Sequence, residues 1–400
     1  MQLIKKTLLF VWAWVKLRFL ASNIKSVLLV AEYGVSGGTR TYFISLLKFL
    51  KEEGYEVIIL DNENLRDNEI ETLVKQLRFE WYSVHFNFWG INFKKRPSGV
   101  TAKSMLLQLM NELLFWATLL NKIRCRHIVF SVGYPGLFIH SIILPVRFLY
   151  ILHTPVTKHA DKFTTYWLKC FLCKRKQILT VSNSARQDIF KFWFFGKDVK
   201  YVNYIHNYYC PQGNAIAIAE EYEKEKALAV LTIGSLEIYK NPFYFIEVAK
   251  KILAKKKDVK FVWAGDGSLI DICKNKVAHI SAIQFIGNVN DVESLYRHST
   301  VYFQPSLIEG HGIATIGAMC FGIPCVVSNN GGLKESVAHG INGYVVNIDN
   351  LEETSSLILN LLEQPYLCRE MGAAGRYIYI TKFSKDKWQK DMRKLYESYV

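Results

Sequence analysis

The sequence predicts an α/β protein made of two doubly wound, parallel-sheet domains. The chain has 400 residues, more than one ordinary hydrophobic core accommodates. Short, uniformly apolar runs alternate with helical stretches, the pattern of a parallel sheet covered on both faces. The alternation breaks once, at a stretch mixing Pro, Gly and charge, and then starts again.

In the first half, the strand-type runs are KSVLLVAE (25–32), YEVIIL, RHIVFS (126–131), RFLYIL (147–152), KQILTVS (176–182) and VKYVNYIHN (199–207). Residues 208–226, with their Pro, Gly and EEYEKEK run, form the predicted linker. Five further strands follow in ALAVLTIGS, VKFVWAGDG, SAIQFIG, TVYFQPS and IPCVVS. The expected organisation is an amphipathic N-terminal segment (1–24), a first domain (25–207), the linker (208–226), a second domain (227–380) and a C-terminal helix (381–400). In such sheets ligands bind beyond the carboxyl ends of the strands, where the strand order reverses. Three glycine-bearing loops lie there: Gly37-Gly38, Gly265-Asp266-Gly267 and Glu309-Gly310-His311-Gly312.

Charge is distributed unevenly. The net charge is +15, and residues 1–200 hold 29 Lys and Arg against 14 Asp and Glu, while residues 201–400 hold 21 of each. A basic, aromatic-rich half implies an anionic partner, either phosphorylated or a membrane surface. Its basic residues are scattered over helices rather than interleaved with aromatics on one face, which disfavours a nucleic-acid binder. The first 20 residues are too interrupted by Lys16 and Arg18 to span a bilayer, which takes about 20 apolar residues. They read as an interfacial helix, with Trp12 and Trp14 at headgroup depth and Lys5, Lys6, Lys16 and Arg18 on lipid phosphates. A helix packed on the fold is the alternative. The eight cysteines form no disulfide framework, and the lone C-x-x-C at Cys170 and Cys173, placed in an apparent helix, reads as structural.

The most informative stretch is IEGHGIATIGAMCFGIPCVVSNNGG (308–332). Its helical part is apolar all round and therefore buried, Gly322 and Pro324 stop it, and IPCVVS is a strand. Glu309 is the one carboxylate, in the loop before a helix N-terminus whose free amides attract anions. A plain capping role is the alternative, and the flanking glycines argue instead for close approach of a ligand. The glycine turn after the first strand lacks the G-x-G-x-x-G spacing, which disfavours a dinucleotide-dependent oxidoreductase.

Taken in order, six segments resemble the retaining, GT-B-fold glycosyltransferases of family 4. They are GVSGGTRTYFISLLKFL, ILHTPV, LTVSNSARQDIF, LTIGSLEIYKNPFYFIEVAKKI, FVWAGDGSL and the long segment VYFQPSLIEGHGIATIGAMCFGIPCVVSNNGGLKESVAHGINGYVV. The resemblance implies a GT-B pair of Rossmann-like domains facing a cleft, with the C-terminal helix packing back on the first. It implies transfer of a sugar from a nucleotide-diphosphate donor to an acceptor hydroxyl with retention, in the synthesis of a cell-surface polysaccharide or lipid-linked oligosaccharide.

The same resemblance assigns roles to residues. Glu309 would bind donor-sugar hydroxyls, Lys240 would neutralise the diphosphate, and His153 would reach the sugar from the opposite domain. The amides of Gly310, His311, Gly312 and Ile313 would complete the anion site. Gly37 and Gly38 would let backbone approach the diphosphate, and Asn288 lies in the loop holding the base. No metal and no cofactor beyond the nucleotide sugar is expected, and no Asp-x-Asp pair occurs.

Two positions depart from the family pattern. The second acid of the family's E-x₇-E pair is Gly317 here, and an arginine expected before Lys240 is Ser235. A non-catalytic scaffold is accordingly the alternative function. The expected partners are a nucleotide sugar, a glycan or lipid-linked acceptor and an anionic membrane surface, with no nucleic acid, at the cytoplasmic face of the membrane.

Overall fold

The computed structural model describes residues 2–19, 25–31, 37–61, 68–83, 102–125, 127–132, 142–157, 162–211 and 228–399. The chain divides into two compact units. The first comprises Met1–Val181, Ala185–Tyr204 and Met392–Val400, and the second Ser182–Ser184 and Ile205–Asp391. Of the predicted linker, residues 212–226 lie outside the described residues.

The first unit has strands β1 (Ser26–Ala31), β2 (Glu56–Asp61), β3 (Glu80–Ser83), β4 (His127–Val132), β5 (Arg147–Leu152), β6 (Lys176–Thr180) and β7 (Val202–Tyr204). Their order is β3-β2-β1-β4-β5-β6-β7, and all pairs are parallel. Helices α1 (Gln2–Arg18), α2 (Gly38–Glu52), α3 (Asn68–Leu77), α4 (Ala102–Lys122), α5 (Lys162–Phe171) and α6 (Asn183–Trp193) alternate with them. β3 comes from the aromatic stretch and was not among the predicted strands; four residues are too few for periodicity to show. Cys170 lies in α5 but Cys173 falls beyond its end, so the C-x-x-C is not wholly helical; both thiols are exposed and free.

Helix α1 partly corrects the interfacial reading. One edge belongs to the core: Ala13 and Leu17 are buried with Trp116, Ala117 and Leu120 of α4. Trp14 packs against that core and its indole N–H donates to the Ile143 carbonyl at 3.2 Å, so it is held by the fold rather than free for headgroups. Lys6 is bonded to the Asn111 side chain. Trp12 is 65% exposed, along with Ile4, Leu8, Leu9, Val11, Val15 and Phe19. The helix is both a packed element and the bearer of an apolar outer face. Among the described residues no helix is long and apolar enough to cross a membrane.

The second unit has β8 (Ala229–Ile233), β9 (Lys260–Ala264), β10 (Ile283–Gly287), β11 (Val301–Gln304), β12 (Cys325–Ser328) and β13 (Gly343–Val346), ordered β10-β9-β8-β11-β12-β13 and parallel throughout. Its helices are α7 (Pro242–Leu253), α8 (Ile270–Lys276), α9 (Val292–Arg297), α10 (Ile313–Cys320), α11 (Leu333–Ser336), α12 (Leu351–Glu363), α13 (Pro365–Ile378) and α14 (Lys385–Tyr399). β13 is a sixth strand, half-buried at the sheet edge, where the apolar signal is weakest. Aromatic packing fixes one side of the sheet: the Phe245 ring meets Trp263 edge-on at 5.2 Å and stacks on Phe303 at 6.3 Å. Burying a side chain such as Phe245 contributes about 1.5–3 kcal/mol.

Both orders place the first strand of the unit between its second and fourth, the doubly wound arrangement with a reversal beside the first strand. The last turns of α14 count with the first unit, where Tyr396 meets Phe49 at 5.8 Å and Tyr55 at 5.6 Å.

Candidate functional site

In the second unit the order reverses between β8 and β11, so the loops after these two strands flank one crevice. The loop after β8 ends in a turn of 3-10 helix, Ile238–Lys240, closed by Asn241 in the left-handed conformation at φ +62° before Pro242 starts α7. That turn carries Lys240. The loop after β11 carries Glu309. The Leu307 amide donates to the Tyr239 carbonyl at 2.8 Å and ties the two loops together.

Across the crevice the Lys240 ammonium contacts the Glu309 carboxylate at 2.5 Å, with side chains only 15% and 13% exposed. Ser306 Oγ donates to the same carboxylate oxygen at 3.3 Å. Opposite charges so close and so poorly hydrated attract far more strongly than an exposed pair. Lys240 also lies over the Tyr239 ring at 5.6 Å, and the Ser235 hydroxyl meets the Tyr239 hydroxyl at 3.0 Å. Where the family pattern expects a second cation, a serine and a phenol share a hydrogen bond.

Gly312 is the N-cap of α10 at φ +78°, and a Cβ there would lie 2.7 Å from Leu333 Cδ2. Its neighbour is therefore core rather than ligand, which corrects the reading of that glycine as room for a ligand. Gly331 is pressed the same way, its missing Cβ 1.9 Å from the Glu309 carbonyl oxygen. These contacts brace the Glu309 loop from behind. The backbone of Gly310, His311 and Gly312 leads into α10, whose first residue is Ile313, so the unpaired amides of a helix start are gathered beside Glu309.

The His311 side chain belongs to the fold. Its ring is buried, Nδ1 accepts from the Asn207 amide at 3.2 Å, Nε2 lies 3.3 Å from Ser336 Oγ, and the ring stacks on His206 at 4.6 Å. Burial, then the His206 charge, pulls its pKa well below the ordinary histidine value. Only its main chain is left for an anion. Below it, Glu335 accepts from His206 Nε2 at 2.7 Å and from the Asn183 and Ser184 amides at 2.9 and 2.6 Å. Burial raises the Glu335 carboxyl, but these hydrogen bonds outweigh it and hold the group below the usual carboxylate value. Neither His206 nor Glu335 was singled out from sequence, since nothing local marks residues 129 positions apart as partners.

On the other side of β8, the loops Gly265-Asp266-Gly267 and Gly287-Asn288 follow β9 and β10. A Cβ on Gly265 would lie 2.1 Å from the Gly234 carbonyl oxygen, and the Gly265 amide donates to Gly287 at 2.7 Å. Asn288 is exposed on this rim.

Gly317 has a structural explanation. A Cβ there would lie 2.6 Å from the Tyr296 hydroxyl oxygen and 2.8 Å from Tyr296 Cζ. Tyr296 is buried, stacks on Phe321 at 5.3 Å and donates its hydroxyl to the Ala314 carbonyl at 2.8 Å. The space beside residue 317 is occupied by a phenol from α9, a partner that sequence spacing could not reveal.

Within the first unit, His153 follows β5, next to β4 in the sheet, and its Nε2 lies 3.0 Å from Ser131 Oγ at the end of β4. Its ring edge meets Tyr42 of α2 at 4.6 Å. Burial pulls the imidazole down to about 3, so it is neutral at physiological pH. Gly37 caps α2 at φ +96° with open space where a Cβ would stand, and Gly38 is the first helical residue.

The family described as "Glycosyl transferases group 1" matches residues 215–377. An uncharacterized glycosyltransferase of Haemophilus influenzae is 23% identical over 361 residues, covering 87% of this chain and 93% of that one. The UDP-Gal:alpha-D-GlcNAc-diphosphoundecaprenol alpha-1,3-galactosyltransferase of Escherichia coli is 27% identical over 220 residues, 52% of this chain and 56% of that one. Among solved structures, Anabaena HepE in complex with UDP and glucose has a TM-score of 0.68 at 14% identity, covering 94% of this chain and all of that one.

Proposed function

We propose that this chain, a glycosyltransferase of the group 1 type with the GT-B fold, transfers a sugar from a uridine-diphosphate donor to an acceptor hydroxyl with retention at the anomeric carbon. The observation that carries the reading is the pairing of Lys240 with Glu309 across the reversal point of the second sheet. One group suits a diphosphate and the other suits sugar hydroxyls, and they adjoin where the two parts of such a donor join.

In the proposed mechanism the bond from the anomeric carbon to the diphosphate oxygen breaks as the acceptor oxygen bonds to that carbon. Negative charge accumulates on the departing diphosphate. In this reading Lys240 and the amides entering α10 meet that charge as fixed groups of the site. The carboxylate of Glu309 accepts from sugar hydroxyls, a charge-assisted contact of about 1.5–3 kcal/mol. The leaving phosphate takes the acceptor proton. No metal is required: Lys240 and the helix amides supply the positive field.

The UDP assignment draws on the UDP-bound HepE structure and on the donor named for the E. coli relative. That relative's lipid-diphosphate acceptor, with the apolar outer face of α1 and the basic first half, supports a lipid-linked acceptor met at an anionic membrane surface on its cytoplasmic side. Each Lys or Arg near such a surface contributes roughly 1 kcal/mol.

The test incubates purified full chain with a panel of UDP-sugars and lipid-linked acceptors, on anionic and on neutral vesicles. UDP release and an α-linked product are expected, faster on anionic vesicles and slower in high salt. No turnover with any donor would sink the transfer reading. Equal rates on both vesicles would remove the membrane.

A further inference from the structure

At the carboxyl ends of β11, β12 and β13 lies a cavity of about 450 Å³ lined by Leu307, Asn329, Asn330, Val346, Asn347, Ile348 and Asp349. The volume falls within the roughly 300–1,000 Å³ of small-molecule sites, and strand ends are where such sites form. Every lining residue belongs to the second unit.

The chemistry of the lining is specific. Asn330 gives one N–H to the Ser306 carbonyl at 3.2 Å, leaving its carbonyl oxygen for other use. Asn347 accepts from the Asp349 amide at 3.1 Å, leaving two N–H donors. Asn329 and the Asp349 carboxylate make no side-chain hydrogen bond or ion pair among the described residues, and both are exposed. The lining therefore offers both hydrogen-bond donors and acceptors. Leu307, 41% exposed, supplies an apolar surface. There is no cation in the lining, and Asp349 repels anions, so phosphate and carboxylate ligands are disfavoured. Three carboxamides, one carboxylate and an apolar patch suit an uncharged ring that carries neighbouring hydroxyls on its edge and C–H groups on its face.

The cavity shares a wall with the Lys240–Glu309 crevice. The Ser306 carbonyl is held by Asn330 and by Ser328 Oγ at 2.5 Å, while its hydroxyl bonds Glu309. Leu307, next along, faces the cavity and is two residues from Glu309.

We infer that this cavity is a second carbohydrate site, which takes an uncharged pyranose residue of the glycan being extended. Its part in extension rests on the proposed transfer reaction, but binding there does not. The site gives the enzyme a hold on a sugar of its acceptor in addition to the hydroxyl that reacts.

The test uses saturation-transfer-difference NMR on the full chain with methyl α-glucopyranoside, methyl α-galactopyranoside and methyl N-acetyl-α-glucosaminide at millimolar concentration. At least one is expected to give signal that survives Glu309→Gln. Asn329→Ala combined with Asp349→Ala should cut it about fivefold or more, as expected for one or two lost hydrogen bonds. Melting temperature and UDP affinity should stay at the wild-type level in that double variant, since neither side chain bonds elsewhere. No signal from any glycoside overturns the proposal. So does signal that Glu309→Gln abolishes and the double variant keeps, because binding is then in the donor crevice only. UDP titrations on the same samples judge the donor reading separately: lost UDP binding with an intact glycoside signal removes that reading and leaves the cavity.

Discussion

Each unit carries its first strand between its second and fourth, so each has a crevice at the same topological place, yet the two are furnished differently. In the second unit the crevice holds a cation and a carboxylate in contact, with hydroxyls and helix amides around them. In the first, the described residues near the corresponding strand ends are a neutral histidine, a serine and two glycines. The first half of the chain nevertheless bears the whole net charge. Placing charge inside the crevice of one unit and over the surface of the other separates two tasks. On the proposed function, the fixed, poorly hydrated charges would act on a reacting bond, whereas the surface charges would act on a large anionic partner, at longer range and under the control of salt.

That contrast breaks most visibly at Glu309. Glu309→Gln keeps the shape of the loop and removes the charge, and turnover is expected to fall about a hundredfold. The fold should survive, because Gly331 and Leu333 brace the loop independently of the carboxylate, although the melting temperature should fall as Lys240 loses its counter-charge. If His153→Ala costs as much, the two units do not divide the work as described. The next effect is on stability. Gly317→Glu drives a side chain into the Tyr296 ring, and such overpacking costs about 1–3 kcal/mol before the burial of a carboxylate is counted. The melting temperature should drop by several degrees, and Tyr296→Ala in the same chain should recover part of the loss. A stable single variant that binds UDP more tightly would show that residue 317 faces the donor after all.

Lys240→Ala should weaken UDP about tenfold and uridine hardly at all, since only the diphosphate meets the ammonium. Calorimetry with both ligands decides it, and equal losses would make Lys240 a structural residue. The smallest effect lies in the first unit. Burial, then the Arg147 charge, pulls His127 down to about 3 against an unfolded value of 6.5. With the folded value the lower one, the stabilisation is complete above 6.5 and drains away as pH falls from there toward about 3. One such group contributes a slope of up to about 1.4 kcal/mol per pH unit. His127→Phe should therefore lose less melting temperature between neutral and mildly acid pH than the parent chain does. Parallel curves would show that His127 takes up a proton as freely folded as unfolded.

What the sequence makes legible follows from how local each signal is. Parallel strands announce themselves as apolar runs, and so β1, β2, β4, β5, β6, β7, β8, β9, β10, β11 and β12 could be read, whereas the four-residue β3 and the edge strand β13 could not. Glu309 was legible as the one acid in an apolar stretch, and Lys240 through its resemblance to a known loop. Their contact was not, because 69 residues separate them and only the strand order joins them. Gly317 was visible as a departure, but its cause, Tyr296, sits on another helix. His311 showed as a histidine among glycines, while its stacking on His206 and its bond to Asn207 depend on tertiary neighbours. Trp14 likewise read as a lipid-facing ring until its bond to Ile143 placed it against the core.

The central claim is that the crevice between β8 and β11 receives a nucleotide diphosphate. It is tested most directly by a crystal structure of the full chain grown with saturating UDP. The account predicts the diphosphate within hydrogen-bonding reach, about 3 Å, of Lys240 Nζ and of at least one amide from Gly310 to Ile313, with the uracil toward Asn288. A diphosphate bound elsewhere on the chain, or a crevice in which Lys240 and Glu309 stay paired with no UDP between the two loops, would contradict it.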